Sequence, residues 1–196
     1  MVRCFIAVTL TREAKQGLAG LRMELSRFCH DVKWVDRENY HLTLKFLGEI
    51  EEKRLTGVRR ALSACSRFAP MQIGFQGVGV FPGVRRARVV WAGVTGDVGG
   101  LGDVAAFLDQ SLGKLGFPPE ERGFQPHLTL GRFRAPADLT SFRGELQSTG
   151  SRPFGPVPVG ALHLMQSVLT RQGPVYTSIG EINFTGTVDS RLENKV

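Results

Sequence analysis

Apolar and polar positions along this chain fall into blocks whose period switches between two and about 3.6, the periods of strands and helices. Residues 5–10 are apolar but for Thr9 and read as a buried strand. Thr11 follows as a helix cap, with Leu18, Leu21, Leu25 and Phe28 recurring behind it at three- and four-residue steps. A short strand is expected over 32–35 and a longer one over 40–47, stopped by Gly48. Leu55, Val58, Leu62 and Cys65 mark one face of a second helix. Residues 72–81 and 87–94 read as two strands around the turn Pro82-Gly83. A third helix is expected over 101–115, ended by Gly116 and Pro118-Pro119. Pro126 introduces a strand over 127–133, and a shorter helix is expected over 137–146. Late strands are expected over 157–169 and 175–184, and the polar tail 189–196 is expected to fray.

Two of these strands carry the same four residues at or near their start, His41-Leu42-Thr43-Leu44 and His127-Leu128-Thr129-Leu130. Side chains two apart on a strand share a face. Each copy therefore offers an imidazole beside a hydroxyl on one side and two leucines to a core on the other. Facing one another, two such strands give two imidazoles and two hydroxyl donors, a set able to perform acid–base chemistry on an anionic oxygen ester. A single His-x-Thr would usually be packing or surface, but packing alone does not require the same polar pair at two distant places. Zinc ligation is the competing reading of a histidine pair. It usually needs a third ligand at short spacing, and no His-x-x-x-His, Cys-x-x-Cys or His-Glu-x-x-His occurs. No metal and no cofactor is expected.

Composition narrows the partners. The 25 Lys and Arg against 18 Asp and Glu give a net charge of +7, which suits an anionic partner, with nucleic acid the first candidate. No Gly-rich phosphate loop is present. No apolar run approaches the ~20 residues that span a bilayer, and the N-terminus reads as a strand rather than a signal peptide. Cys4, Cys29 and Cys65 are an odd, unclustered set and read as buried free thiols in a reducing cytoplasm.

Each motif strand precedes a helix, and the motifs begin at residues 41 and 127, too far apart for a solenoid repeat. The expected fold is α+β: two similar lobes with largely antiparallel sheets flanked by helices, related by a pseudo-two-fold axis, with the motif strands lining the cleft between them. Residues 1–196 are read as one bilobal domain, and as a monomer.

In its motifs this chain resembles the 2H phosphoesterase superfamily, and within it the RNA 2′,3′-cyclic phosphodiesterases, also called 2′-5′ RNA ligases. The matching stretches are Arg3-Cys4-Phe5-Ile6-Ala7-Val8, then Val32-Lys33-Trp34-Val35, then Glu38 through Gly48 with the first motif. Gly77-Val78-Gly79-Val80-Phe81-Pro82 and Arg88-Val89-Val90-Trp91 follow. Last come Phe124 through Arg132 with the second motif, Ser167, and Gly173-Pro174-Val175-Tyr176. The resemblance implies the bilobal fold and a metal-free opening of a terminal RNA 2′,3′-cyclic phosphate to a 2′-phosphate. It implies that His41 is the proton donor and His127 the proton acceptor, which the symmetric motif by itself does not assign. Thr43 and Thr129 would donate hydrogen bonds to the non-bridging oxygens. The partners implied are RNA ends or small nucleotides bearing a 2′,3′-cyclic phosphate. Ligation at the same site and non-catalytic RNA-end binding are the alternatives. The intact His and Thr pairs argue against the second, and the abundance of water favours hydrolysis over ligation.

Four further residues are candidates for substrate binding. Phe46 and Arg132 both lie five residues after their motif histidine. Strand parity puts both on the face opposite His and Thr, as core Phe and solvated Arg. A bend or bulge at the adjacent Gly48 and Gly131 would instead re-aim them to clasp a nucleobase by stacking and cation–π contact. Lys45 shares the His41 face by parity, either attracting phosphate or standing as a solvated strand-end lysine. Tyr176 is either a cleft hydroxyl or a buried ring.

Overall fold

The computed structural model describes residues 1–120, 123–171 and 173–187. The tail read as frayed, 189–196, lies outside them. The fold is α+β, with two antiparallel sheets. Nine strands occur in the described residues: β1 (Val2–Thr9), β2 (Val32–Trp34), β3 (His41–Ile50), β4 (Met71–Phe81), β5 (Ala87–Gly96), β6 (His127–Ala137), β7 (Phe154–Val159), β8 (Ala161–Thr170) and β9 (Gly173–Asn183). Four α-helices accompany them: α1 (Arg12–Leu25), α2 (Leu55–Ser63), α3 (Val98–Gly113) and α4 (Arg143–Thr149).

The first sheet has the order β3-β1-β8-β9 and the second β2-β6-β5-β4-β7. All pairings are antiparallel. The run β3-β1-β8-β9 corresponds to the run β6-β5-β4-β7, so each motif strand leads a run of four and the lobes are pseudo-symmetric. The second sheet adds β2 on the outer edge of its motif strand. The lobes are interleaved rather than successive halves of the chain. Strands β1 and β3 share the first sheet with β8 and β9 from the far end. Helices α2 and α3 pack on the first sheet, while α1 and α4 pack on β7 and β4 of the second.

Local sequence explains the elements. Thr11 Oγ1 accepts from Ala14 N at 3.2 Å and starts α1, whose Leu18, Leu21 and Leu25 are buried. The Asp97 side chain accepts from Gly100 N at 2.8 Å and starts α3 three residues before the expected 101, because Gly99, Gly100 and Gly102 conceal its first turn. Gly116, at φ 79°, turns the chain out of α3. The expected strand over 157–169 is two strands, broken at Gly160, and they belong to different sheets. The helix expected over 137–146 starts later, at Arg143, because β6 runs on to Ala137. Likewise β3 continues through Gly48 to Ile50 rather than stopping there.

The motif leucines Leu42, Leu44, Leu128 and Leu130 are all buried in one continuous core that spans both sheets. Cys4, Cys29 and Cys65 are buried and unpaired, and burial raises all three thiol pKa values, Cys29 and Cys65 to about 11. No helix of the described residues is long and apolar enough to cross a membrane.

Candidate active site

Strands β3 and β6 lie against one another at the meeting of the two sheets. Their polar faces line a cleft of about 1210 Å³. His41, Thr43, His127 and Thr129 all open onto it. The volume exceeds the ~300–1,000 Å³ usual for small-molecule pockets.

The two imidazoles are held in the same way. His41 Nδ1 lies 2.7 Å from the Asn39 carbonyl oxygen, and His127 Nδ1 lies 2.7 Å from the Gln125 carbonyl oxygen. A carbonyl only accepts, so each Nδ1 carries the proton. That leaves each Nε2 without a hydrogen-bond partner among the described residues, able to take or give a proton. Asn39 is itself fixed, its Nδ2 donating to the Pro174 carbonyl at 3.0 Å. Neither carbonyl partner was foreseen, although an amide residue stands two before the histidine in both copies, Asn39-Tyr40-His41 and Gln125-Pro126-His127.

Aromatic rings set the angle of each imidazole. Phe5 and Tyr176 stand 4.7 and 5.1 Å from His41, centroid to centroid. Phe81 meets His127 edge-on at 5.1 Å and stacks on Trp91. The Trp91 indole lies over Gly79, where a Cβ would fall 2.1 Å from the ring. Phe5 and Phe81 escaped the sequence reading because aromatic residues on strands look like core.

Burial pushes the pKa of His41 below 6.5, the bond to Asn39 opposes this, and the Lys15 charge adds to the lowering. Tyr176 lines the cleft half-buried, which raises its phenol pKa against the lowering effect of Arg132 and Arg3. The cleft-hydroxyl reading of Tyr176 is therefore the one the geometry favours.

A matched irregularity decides Phe46, Arg132 and Lys45. Ile6 and Ala7 of β1 oppose Lys45 and Thr43, so Leu44 is an extra, bulged residue. Val90 and Trp91 of β5 oppose Gly131 and Thr129, so Leu130 is bulged identically. Each bulge reverses the parity of the residues just beyond it. Phe46 is 63% exposed and lines the cleft, and Arg132 is exposed and lines it from the other sheet. The parity expectation of a core Phe46 is thus corrected. The bulge that re-aims each residue sits on the last leucine of its motif, and in β3 a second register shift follows beside Gly48, where Cys4 and Phe5 oppose Gly48 and Phe46. Gly131 serves another purpose: a Cβ there would fall 2.5 Å from Val32 Cγ1 and 2.9 Å from Trp34 Cε3 of β2.

The same reversal overturns the expectation for Lys45. It shares no face with His41, and it is neither solvated nor in the cleft. Its side chain is 2% exposed, with Nζ 2.5 Å from Asp109 Oδ1 of α3 and donating to the Pro118 carbonyl at 2.6 Å. No group of three or more His, Cys, Asp or Glu among the described residues is placed to hold a metal ion.

The chain is similar to known proteins in sequence and in fold. The sequence profile of the LigT like phosphoesterase family matches residues 8–91 and 97–176, and each stretch contains one motif. An RNA 2′,3′-cyclic phosphodiesterase of Aeropyrum pernix is 37% identical over 165 residues, 84% of this chain and 93% of that protein. One from Methanothermobacter thermautotrophicus is 36% identical, covering 91% of this chain and 96% of that protein. Among solved structures, the Thermus thermophilus protein TT0787 is similar at a TM-score of 0.78 and 30% identity, over 94% of this chain and 98% of that one. LigT of E. coli, solved with 3′-AMP, is similar at a TM-score of 0.76 and 25% identity, over the same shares.

Proposed function

This chain belongs to the LigT-like phosphoesterase family, and from that premise we propose that it is an RNA 2′,3′-cyclic phosphodiesterase working by two-histidine acid–base catalysis. The observation that carries the mechanism is the pair of imidazoles on one cleft, each with Nδ1–H engaged by its own carbonyl and Nε2 without a partner among the described residues. The reaction opens a strained five-membered ring. His127 Nε2 takes a proton from water as its oxygen attacks phosphorus. The P–O3′ bond breaks, and His41 Nε2 delivers a proton to the departing ribose oxygen, leaving a 2′-phosphate. The hydroxyls of Thr43 and Thr129 donate to the non-bridging oxygens as charge builds there. Phe46 and Arg132, on opposite sheets, clasp the terminal base, and Tyr176 completes the wall beside His41.

The donor must enter charged, whereas burial favours neutral His41 in the free protein. The bound phosphate anion supplies the missing stabilisation, so the acid is charged by the substrate it is to protonate. The net charge of +7 and the arginines Arg3 and Arg132 at the cleft draw that anion in. The protein is further proposed to act as a monomer in the cytoplasm.

The test is incubation with 2′,3′-cyclic mononucleotides in EDTA, with the product identified by phosphorus NMR. A 2′-phosphomonoester formed at an undiminished rate is expected. A rate abolished by chelation and restored by a divalent metal would replace this mechanism with metal-assisted hydrolysis.

A further inference from the structure

The hairpin of β8 and β9 continues past the residues that the reaction uses. From Met165 onward its ladder is regular, with Met165, Ser167 and Leu169 opposing Ser178, Tyr176 and Pro174. Residues two apart share a face, and Met165 and Tyr176 pack with Phe5, which lines the cleft. Ser167, Leu169 and Pro174 extend that face and line the cleft as well. No step of the reaction uses these three side chains. Leu169 is 68% exposed although it faces the cleft. Asn39 Nδ2 donates to the Pro174 carbonyl at 3.0 Å, so this end of the hairpin is moored to the turn that carries His41.

The other lobe has no such extension among the described residues. In the matched ladders Phe5 corresponds to Val89, and their partners are Met165 of β8 and Phe81 of β4. Strand β4 ends at Phe81, whereas β8 runs on to Thr170 with β9 beside it. The counterpart of β9 is β7, which pairs with β4 only between Met71 and Phe75. The imidazoles and hydroxyls are duplicated because acid and base act from opposite sides of one phosphorus. A chain end is not symmetric in this way, since it continues on one side only. The unmatched hairpin is a one-sided wall suited to that continuation.

The wall has the chemistry of a nucleotide subsite. Cys4 pairs with Gln166, so the next positions along β1 and β8 are Arg3 and Ser167, and both line the cleft. A guanidinium and a hydroxyl there suit the oxygens of a phosphodiester. Leu169 and Pro174, cross-strand partners, offer an apolar ledge to the flat face of a base. The cleft, at about 1210 Å³, has room beyond the nucleotide clasped by Phe46 and Arg132.

We propose that Arg3, Ser167, Leu169 and Pro174 form a second subsite for the nucleotide preceding the cyclic phosphate. Arg3 and Ser167 meet the phosphodiester link, and Leu169 with Pro174 carries the base. The cleft is thereby built for the 2′,3′-cyclic end of an oligonucleotide rather than for a free cyclic mononucleotide. The inference rests on the phosphodiesterase reading and on the terminal base lying between Phe46 and Arg132.

The test is steady-state kinetics of the full chain on three substrates: a 2′,3′-cyclic mononucleotide, a dinucleotide ending in the same cyclic phosphate, and that dinucleotide without its first base. In the wild type, KM for the complete dinucleotide should lie at least about fivefold below that for the baseless one, the lower end of what one stacked base contributes. The baseless dinucleotide should in turn bind better than the mononucleotide. Leu169→Ser, at an exposed position, should close the first gap and leave the mononucleotide KM unchanged. Arg3→Gln should close most of the second. Equal KM values for the two dinucleotides in the wild type overturn the subsite whether or not a variant folds, and so does either gap surviving its own variant. In those cases continued hydrolysis of the mononucleotide upholds the phosphodiesterase reading. A wild type that hydrolyses none of the three overturns that reading and the subsite with it.

Discussion

Phe46→Ala separates the two consequences that the Leu44 bulge assigns to this ring. Full burial of a large apolar side chain is worth ~1.5–3 kcal/mol. Phe46 is 63% exposed, with its nearest aromatic neighbour Phe5 at 6.3 Å between centroids. Only about a third of that stabilisation is at stake, so truncation should cost under ~1 kcal/mol of folding stability. A lost stacking partner for a nucleobase is worth ~1–3 kcal/mol, which raises KM roughly 5- to 150-fold at ~1.4 kcal/mol per factor of ten. The assay compares a 2′,3′-cyclic nucleotide with ribose 2′,3′-cyclic phosphate, alongside a urea melt. KM should rise for the nucleotide, stay level for the baseless ring, and the melt should barely move. A variant that loses about 3 kcal/mol or more of stability and keeps its nucleotide KM would show that Phe46 is core after all.

Three other expectations follow from the cleft. His41→Ala and His127→Ala should each lower kcat by ~10²–10⁴ while folding normally, and the double variant should be little worse than either single; near-normal turnover by a folded single variant would end the two-histidine mechanism. Rate should depend on pH as a bell, because one imidazole must be neutral while the other is charged. The pKa of His41 is lowered in the free protein, so kcat/KM should fall as pH rises through a value below 6.5. Bound phosphate raises that pKa, so the alkaline limb of kcat should lie at higher pH; coincident limbs, or a limb that survives His41→Ala, would contradict the donor role. Gly131→Ala should cost ~1–3 kcal/mol, because its Cβ must displace Val32 or Trp34 of β2; urea unfolding within about 0.5 kcal/mol of the parent, the range of an ordinary surface change, would mean that β2 yields freely.

The histidines, the threonines and the α+β fold were legible because their signals are local and repeated. A duplicated His-Leu-Thr-Leu needs no knowledge of what lies across the sheet. Phe46, Arg132 and Lys45 were not legible in the same way. Strand parity is a rule about regular ladders, and one extra residue at Leu44 or Leu130 inverts it for Lys45 and Phe46 or for Arg132, until a second register shift in each ladder breaks it again. A bulge is fixed by the partner strand, and nothing within His41–Ile50 announces it. The division of 157–169 between two sheets failed similarly: Gly160 reads as an ordinary interruption, while the sheet each half joins depends on distant pairing. Phe5 and Phe81 were hidden because a ring against an imidazole and a ring in a core have the same sequence signature.

The interleaving of the lobes has a consequence for how the protein is made. Strand β1 is synthesised first, yet it lies between β3 and β8. Its second edge stays open until residues 161–170 have emerged from the ribosome, on the order of ten seconds later at ~5–20 residues per second. During that interval the nascent chain presents an apolar strand, Cys4 to Val8, with one row of backbone groups unpaired, a template for association with other chains. The second sheet can close as soon as β7 is complete, while the wall carrying Tyr176 arrives last. A chain released early would hold both histidines and still lack the side of the cleft that completes the first imidazole's surroundings.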